Sequence, residues 1–180
     1  MSDWPNQWAP LSDNILQQVS ELKMVIFDVD GVFTDGTILR DEDGNEQRRF
    51  SVLDGHGTSR LREIGLLVGV VSREPSEITR SRMEKLKLDE IHVGSKDKSI
   101  TLKEIINRRN LKSEQVAFMG DDIPDLAAFS QVGIKLAPSN AQPQIREKAD
   151  WISNASGGNG AVREACEVII YAIESRRQSD

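Results

Sequence analysis

The chain has 180 residues, of which 38% are hydrophobic and 29% charged, and its formal net charge is -6. This size and composition are typical of one globular domain with a substantial core, and an acidic balance without a basic stripe argues against a nucleic-acid partner. The longest apolar runs fall far short of the roughly 20 residues that a membrane span needs, so we expect no membrane partner.

The N-terminal segment lacks the features of a secretory signal. Its first ten residues, MSDWPNQWAP, contain neither a basic region nor an apolar stretch. The single cysteine, Cys166, cannot form an internal disulfide, and its apolar helical surroundings indicate simple packing. We therefore expect a cytoplasmic protein in which residues 1–22 form an N-terminal arm with a short helix, followed by one domain at 23–180.

From residue 23 onward, strand-like and helix-like patterns alternate along the chain. The predicted strands are 23–28, 66–72, 90–94, 116–120, 133–137 and 150–153. The predicted helices are 56–64, 75–87, 97–109, 123–130, 140–148 and 160–176. Short apolar strands without polar alternation are typical of a parallel sheet that is buried on both faces. The pattern predicts right-handed βαβ units and a doubly wound, Rossmann-like α/β fold.

One segment, near residues 36–50, interrupts this alternation. It carries two short extended runs on either side of Asp43-Gly44-Asn45, which is a good turn signal. We interpret it as a β-hairpin inserted directly after the first strand. An irregular surface loop is the alternative.

Polar side chains follow four of the predicted strands. Ligands of open α/β sheets bind outside the carboxyl ends of the strands, so these side chains are candidates for one site. They are Asp28, Asp30, Ser72, Lys96, Lys98, Asp121, Asp122 and Asp125. So many carboxylates repel one another unless a cation lies among them, and oxygen ligands without a histidine or cysteine cluster favour Mg²⁺ over zinc.

A divalent cation, a lysine and a hydroxyl around an aspartate indicate phosphoryl transfer. Aspartate can act as a covalent nucleophile on phosphorus and form an aspartyl-phosphate. A second aspartate two residues later can protonate the leaving alcohol and then activate water. The cation and the lysine would neutralise the phosphoryl oxygens.

The stretch DVDGVFT at 28–34 resembles the D-x-D-G-x-x-T signature of the haloacid dehalogenase superfamily of phosphotransferases. Ser72, Lys98 and the GDDIPD stretch at 120–125 match the second, third and fourth motifs of that superfamily in order. The further stretches DGHG, KDK and SGGNGAVREACEVII make residues 23–171 similar to the small capless phosphatases of 3-deoxy-2-ulosonic acid phosphates. The resemblance implies a phosphoric monoester hydrolase without a cap domain.

The resemblance also implies roles for individual residues. Asp28 would be the nucleophile and Asp30 the general acid and base. Mg²⁺ would be held by Asp28, the backbone carbonyl of Asp30, and Asp121. Asp122 and Asp125 would support the metal site, and Lys98 would bind the phosphate. The implied substrate-binding residues are Gly31, Ser72, Arg73, Glu74, Lys85 and Arg163.

One departure from the octulosonate phosphatases bears on the substrate. Those enzymes usually carry T-G-R after the second strand, whereas this chain carries Ser72, Arg73 and Glu74. Glu74 followed by Lys85 resembles the phosphatases of the nine-carbon 2-keto-3-deoxynononate 9-phosphate, which is therefore the predicted substrate. The alternatives are the eight-carbon 3-deoxy-D-manno-octulosonate 8-phosphate, another small phosphorylated metabolite, and a catalytically weak regulatory or assembly module of the same fold.

We also expect a homotetramer whose subunits complete one another's sites. In the resembling family the hairpin is a flap, and neighbouring subunits help to close each active site. A capless sheet leaves its edge open to water, and the hairpin at 36–50 cannot bury both of its faces on its own chain.

Overall fold

The computed structural model describes residues 8–178, and within them strands and helices alternate. The strands are β1 (Met24–Phe27), β2 (Leu39–Arg40), β3 (Glu46–Gln47), β4 (Leu67–Ser72), β5 (Glu90–Val93), β6 (Val116–Met119), β7 (Ile134–Ala137) and β8 (Trp151–Ile152). The α-helices are α1 (Asp13–Val19), α2 (Val52–Glu63), α3 (Glu77–Lys85), α4 (Lys98–Arg108), α5 (Leu126–Phe129), α6 (Pro143–Lys148) and α7 (Ala161–Arg177). None of the helices within these residues combines the length and apolar character that crossing a membrane requires.

Six of the strands form one parallel sheet in the order β5-β4-β1-β6-β7-β8. All four residues of the central strand β1 are buried, and they alternate between two cores. Val25 and Phe27 face the core that also holds side chains of α1, α2, α3 and α7. Met24 and Ile26 face the core under α4, α5 and α6. The predicted doubly wound α/β fold is therefore confirmed.

The predicted hairpin is present as the antiparallel pair β2–β3. Leu39 pairs with Gln47, and Arg40 pairs with Glu46. The Asp41 carboxylate closes the turn by accepting the backbone N–H of Asn45 at 2.7 Å. Within residues 8–178 no separate domain is inserted that could cover the edge of the sheet, as expected for a capless fold.

Helix α2 begins four residues earlier than its predicted start at residue 56. The Ser51 side chain caps it by accepting the backbone N–H of Leu53 at 3.2 Å. Gly55 and Gly57 weaken the local helical pattern and hide this start in the sequence. A Cβ at Gly57 would lie 3.1 Å from the Arg163 backbone, which is tighter than most such contacts, so the glycine lets α2 and α7 approach closely.

The described part of the N-terminal segment packs on the domain. The Ala9 N–H donates to Glu164 at 3.0 Å, and the Trp151 indole donates to the Ala9 carbonyl at 2.9 Å. Val19 and Leu22 are fully buried members of the main core. The predicted short helix is present as α1, whereas residues 1–7 of the predicted arm lie outside the described residues. The boundary at residue 22 remains a proposal, because the core already includes residues before it.

Candidate active site

Three neighbouring strands of the sheet end at the same edge. In the register, Phe27 of β1 lies between Val70 of β4 and Met119 of β6. The backbone N–H of Asp28 donates to the Met119 carbonyl at 2.8 Å, which continues the strand pairing by one residue. The side chains that follow β1, β4 and β6 therefore meet although they are distant in sequence.

A cavity of about 670 Å³ lies at this edge. The predicted site residues that line it are Asp28, Asp30, Ser72, Arg73, Glu74, Lys98, Asp121, Asp122 and Asp125. Gly36 and Ile38, at the base of the hairpin, also line it, so the hairpin forms one wall.

Lys98 is the first residue of α4, and its side chain reaches back into the cavity. The side chain is only 4% exposed, and its Nζ lies 2.9 Å from Asp28 Oδ2 and 2.5 Å from Asp125 Oδ1. Asp97 caps the same helix by accepting the Ile100 N–H at 3.2 Å. A buried ammonium is therefore held between two carboxylates.

Asp125 anchors the loop after β6. Its Oδ2 accepts the backbone N–H groups of Asp121 at 2.9 Å and Asp122 at 3.3 Å. A Cβ at position 120 would lie 2.5 Å from the Asp125 carboxyl carbon, so only glycine leaves room for this arrangement. Because its other oxygen binds Lys98, Asp125 fixes both the lysine and the loop that carries Asp121.

Burial and mutual repulsion change the ionisation of these groups. Burial, reinforced by the nearby charge of Asp125, raises the pKa of Asp28 to about 8 despite the opposing effect of Lys98. Burial, with Asp125 and Asp122, raises the pKa of Asp121 to about 7. Burial lowers the pKa of Lys98, but the charges of Asp28 and Asp125 outweigh it and hold that pKa above its ordinary value. Without further positive charge, the cluster resists complete ionisation.

The same carboxylates fit a divalent cation. Oxygens of Asp28, Asp121 and Asp125 lie within 4.8 Å of one another. Asp121 Oδ1 is buried without a hydrogen-bond partner among the described residues, and a buried anionic oxygen in that state is costly unless a ligand satisfies it. Gly31, with φ of +88°, leaves space here, because a Cβ would lie 2.0 Å from Asp121 Oδ2. A hard cation such as Mg²⁺ suits this set of oxygens.

We predict that Mg²⁺ stabilises the protein more at about pH 8.5 than at about pH 6. Asp28 and Asp121 have raised pKa values in the folded chain, so the folded state keeps protons that the unfolded state releases. The metal-free protein should therefore lose stability as the pH rises from about 4 towards 8. Mg²⁺ binds the ionised carboxylates and removes that loss. The difference between the melting temperatures in MgCl₂ and in EDTA should therefore be larger at the higher pH by a few degrees or more. A constant difference across this range would contradict the prediction.

Three predicted substrate-binding residues do not line the cavity of their own chain. Arg163 Nε donates to Glu167 at 2.6 Å, one turn later on α7, so its guanidinium is engaged within its own helix. The Gly31 N–H donates to Thr34 Oγ1 at 3.3 Å and is not free for a phosphate. Lys85 is exposed at the end of α3, and a role for it at a subunit contact stays a prediction.

The glycine-rich loop at 157–160 packs on the loop that follows β1. A Cβ at Gly157 would lie 1.8 Å from the Gly31 carbonyl oxygen. Asn140 joins the two loops, because its Oδ1 accepts the Gly157 N–H at 2.6 Å and its Nδ2 donates to the Gly31 carbonyl at 3.2 Å. The glycine-rich loop therefore supports the loop that follows Asp28, and Asn140 had no predicted role.

Arg48, at the end of the hairpin, is a site residue that the sequence analysis missed. Its side chain is fully buried, and its Nε lies 3.1 Å from Asp30 Oδ1. Arg48 and Arg49 are adjacent in a charged stretch, and composition does not distinguish the buried residue from the exposed one. The alternation that places Glu46 and Arg48 on one side of the strand is the signal that could have found it.

Comparisons with known proteins agree with this geometry. The sequence profile of haloacid dehalogenase-like hydrolases matches residues 68–164. The chain is 32% identical to the 3-deoxy-D-manno-octulosonate 8-phosphate phosphatase of Yersinia pestis over 165 residues, which are 92% of this chain and 88% of that one.

Two solved structures are also similar. The phosphatase of the same name from Moraxella catarrhalis, in complex with magnesium, phosphate and a KDO molecule, has a TM-score of 0.87 and 31% identity and covers 93% of this chain and 98% of its own. The cobalt-bound deoxy-D-mannose-octulosonate 8-phosphate phosphatase of Haemophilus influenzae has a TM-score of 0.84 and 33% identity, covering 88% of this chain and 92% of its own.

Proposed function

Because the chain belongs to the haloacid dehalogenase-like hydrolases, and within them to the Mg²⁺-dependent phosphatases of sugar-acid phosphates, we propose that it hydrolyses a 3-deoxy-2-ulosonic acid phosphate through an aspartyl-phosphate. We propose 2-keto-3-deoxynononate 9-phosphate as the preferred substrate. The observation that carries the mechanism is the contact of Lys98 with Asp28 at the edge of the sheet.

In the first step, a carboxylate oxygen of Asp28 forms a bond to phosphorus as the ester P–O bond breaks. Asp30 gives its proton to the departing oxygen, so the sugar acid leaves as an alcohol. The positive charge of Lys98 and the hydroxyl of Ser72 bind the phosphoryl oxygens.

In the second step, water gives a proton to Asp30 and attacks phosphorus, which releases Asp28 and inorganic phosphate. Asp28, the Asp30 carbonyl and Asp121 would hold Mg²⁺, which would supply neutralisation of the phosphoryl charge. Asp125 keeps Lys98 and the Asp121 loop in place during both steps.

The charge of the cavity rim supports an acidic substrate. Arg73 and Lys96 are exposed and line the cavity, and neither forms an ion pair within residues 8–178. Lys98 is already held by two carboxylates, so these two cations remain available to a second anionic group on the substrate. A substrate that carries a carboxylate as well as a phosphate fits that arrangement.

Glu74 supports the nine-carbon substrate. It is exposed on the rim and lines the cavity, where it can accept hydrogen bonds from sugar hydroxyls. An arginine at this position could instead pair with the substrate carboxylate through two parallel hydrogen bonds.

We predict that Glu74→Arg moves preference towards the eight-carbon substrate by about 1–3 kcal/mol of differential transition-state binding. The measurement is kcat/KM for both acid phosphates in both proteins. Glu77→Arg is the matched control, because Glu77 is 84% exposed and does not line the cavity. A parent that already prefers the eight-carbon acid, with a ratio unmoved by Glu74→Arg, would make octulosonate 8-phosphate the substrate.

The eight-carbon acid is the second candidate because the similar enzymes from Yersinia pestis and Moraxella catarrhalis carry that name. Its hydrolysis would use the same aspartates and lysine. Only the rim residues distinguish the two substrates, so the comparison of rates at position 74 decides between them.

We further propose a homotetramer in which a neighbouring subunit completes each site. Leu39 on the hairpin is 62% exposed, and Val52 and Leu53 at the start of α2 are 78% and 61% exposed. Large exposed apolar side chains are candidates for a subunit interface, because contiguous apolar surface marks interaction sites. Light scattering should give four times the chain mass of 20.1 kDa, whereas a monomer that is fully active at low concentration would contradict the proposal.

A further inference from the structure

Arg48 joins three segments that border the cavity. Arginine side chains usually lie in solvent, whereas the Arg48 side chain is 0% exposed. It lies just after β3 of the hairpin, contacts Asp30 after β1, and donates from Nη1 to the hydroxyl of Ser76. Ser76 caps α3, the helix that follows the rim residues at 73–75.

Burial of a guanidinium is costly, and the structure offsets that cost with specific contacts. Besides Asp30 and Ser76, Arg48 Nη1 lies 3.4 Å from Glu46 Oε2 on the same strand. Nη2 is buried without a hydrogen-bond partner among the described residues. The buried position therefore leaves part of the hydrogen-bonding capacity of the guanidinium unused. Of the contacts that Arg48 makes, the one with Asp30 reaches a predicted catalytic residue.

The contact engages one oxygen of Asp30 and leaves the other available. Arg48 Nε binds Oδ1 at 3.1 Å, and no hydrogen bond to Oδ2 is found within residues 8–178. The Asp30 side chain is 27% exposed and lines the cavity. A carboxyl group fixed through one oxygen can present the other to an ester oxygen in one orientation.

We propose that Arg48 is a positioning residue that orients Asp30 for proton transfer. This inference rests on the proposed function, in which Asp30 protonates the leaving alcohol. Arg48 follows β3, so the hairpin supplies the group that holds Asp30 at the sheet edge.

A purely structural role makes a different prediction. If Arg48 only fastens the hairpin, its loss would weaken hydrolysis of every phosphate ester to a similar extent. If it orients Asp30, the loss falls on esters whose leaving group needs a proton. An alkyl leaving group needs that proton and nitrophenolate does not, so the ratio of the two rates separates the roles.

The experiment compares the parent with Arg48→Met and Arg48→Lys. Methionine keeps the apolar part of the side chain and removes the charge, whereas lysine restores a cation. Arg49→Met is the matched control, because Arg49 is 65% exposed and pairs with Asp35 on the protein surface. For each protein, kcat and KM are measured on the faster sugar-acid phosphate and on p-nitrophenyl phosphate, with melting temperatures to compare folding.

We expect Arg48→Met to lower kcat on the alkyl ester at least about tenfold, and by no more than the 10²–10⁴-fold that general acid catalysis contributes, with little change in KM. The loss on p-nitrophenyl phosphate should be several-fold smaller, and Arg48→Lys should recover part of the difference. Arg49→Met should keep the parent's ratio of rates.

Equal losses on both esters, or no loss on the alkyl ester in a variant that melts like the parent, would overturn the inference. If Arg48→Met does not fold, the ratio of rates in Arg48→Lys decides, because lysine recovers the contact only in part and should still lose more on the alkyl ester than on p-nitrophenyl phosphate. Failure of the proposed function is a separate result, namely a parent protein that releases no phosphate from either sugar-acid phosphate.

Discussion

Asp28→Asn should lower turnover on the order of 10⁴-fold or more while leaving the fold intact. An amide oxygen does not attack phosphorus effectively, so the aspartyl-phosphate cannot form. The change also removes one of the three carboxylates that fit the cation. Phosphate release from the sugar-acid phosphate in saturating Mg²⁺ measures the effect.

The stability of this variant provides an internal check. Burial raises the pKa of Asp28 to about 8, so ionising that carboxylate opposes folding in the absence of metal. An uncharged amide removes this opposition, and metal-free Asp28→Asn should melt at the same temperature as the parent or higher at about pH 8. Asp43→Asn, an identical change at the exposed turn of the hairpin, is the control for both measurements. Turnover within tenfold of the parent would exclude Asp28 as the nucleophile.

Asp30→Asn should lower hydrolysis of the sugar-acid phosphate by about 10²–10⁴-fold, the usual contribution of general acid and base catalysis. The variant loses the proton donor of the first step, while its backbone carbonyl remains available to Mg²⁺. The decrease in the rate of the first step should therefore be smaller for p-nitrophenyl phosphate, whose leaving group departs without a proton. Burst kinetics with that ester should show formation of the aspartyl-phosphate outpacing its hydrolysis, since water activation is lost as well.

Two outcomes would contradict this role for Asp30. One is an equal loss in the first step for alkyl and activated aryl esters. The other is a large loss of Mg²⁺ affinity, measured by titration calorimetry, which would make the side chain a metal ligand and not a proton donor. Asp43→Asn again provides the control for the change in charge.

The sequence predicts most of the strands of the sheet because the local composition of each segment determines whether it can form a buried strand. The run from Met24 to Phe27 is apolar at every position, as a strand buried on both faces requires. The same run ends in Asp28, and the strand at Val116–Met119 ends in the carboxylate-rich loop at 120–125. Strand ends of one parallel sheet must lie at one edge, so their meeting could be predicted without coordinates.

The remaining site residues depend on contacts between distant segments. Arg48 is buried only because the hairpin lies against Asp30 and Ser76, and no local pattern reports that contact. Arg163 is the opposite case, a predicted site residue that does not line the cavity. Resemblance placed it near the substrate, but Glu167 lies one helical turn away and takes its guanidinium in the described chain.

The join between the loops at Gly31 and Gly157 has a consequence for how the enzyme is made. The ribosome releases the loop that follows β1 first, yet the partners that brace it at Gly31, Asn140 and Gly157, emerge 109 and 126 residues later. A nascent chain that has already formed β1 therefore carries Asp28 on an unbraced loop. Catalytic competence should appear late and abruptly during synthesis, once the segment containing Gly157 has left the exit tunnel, and not in proportion to the length of chain produced.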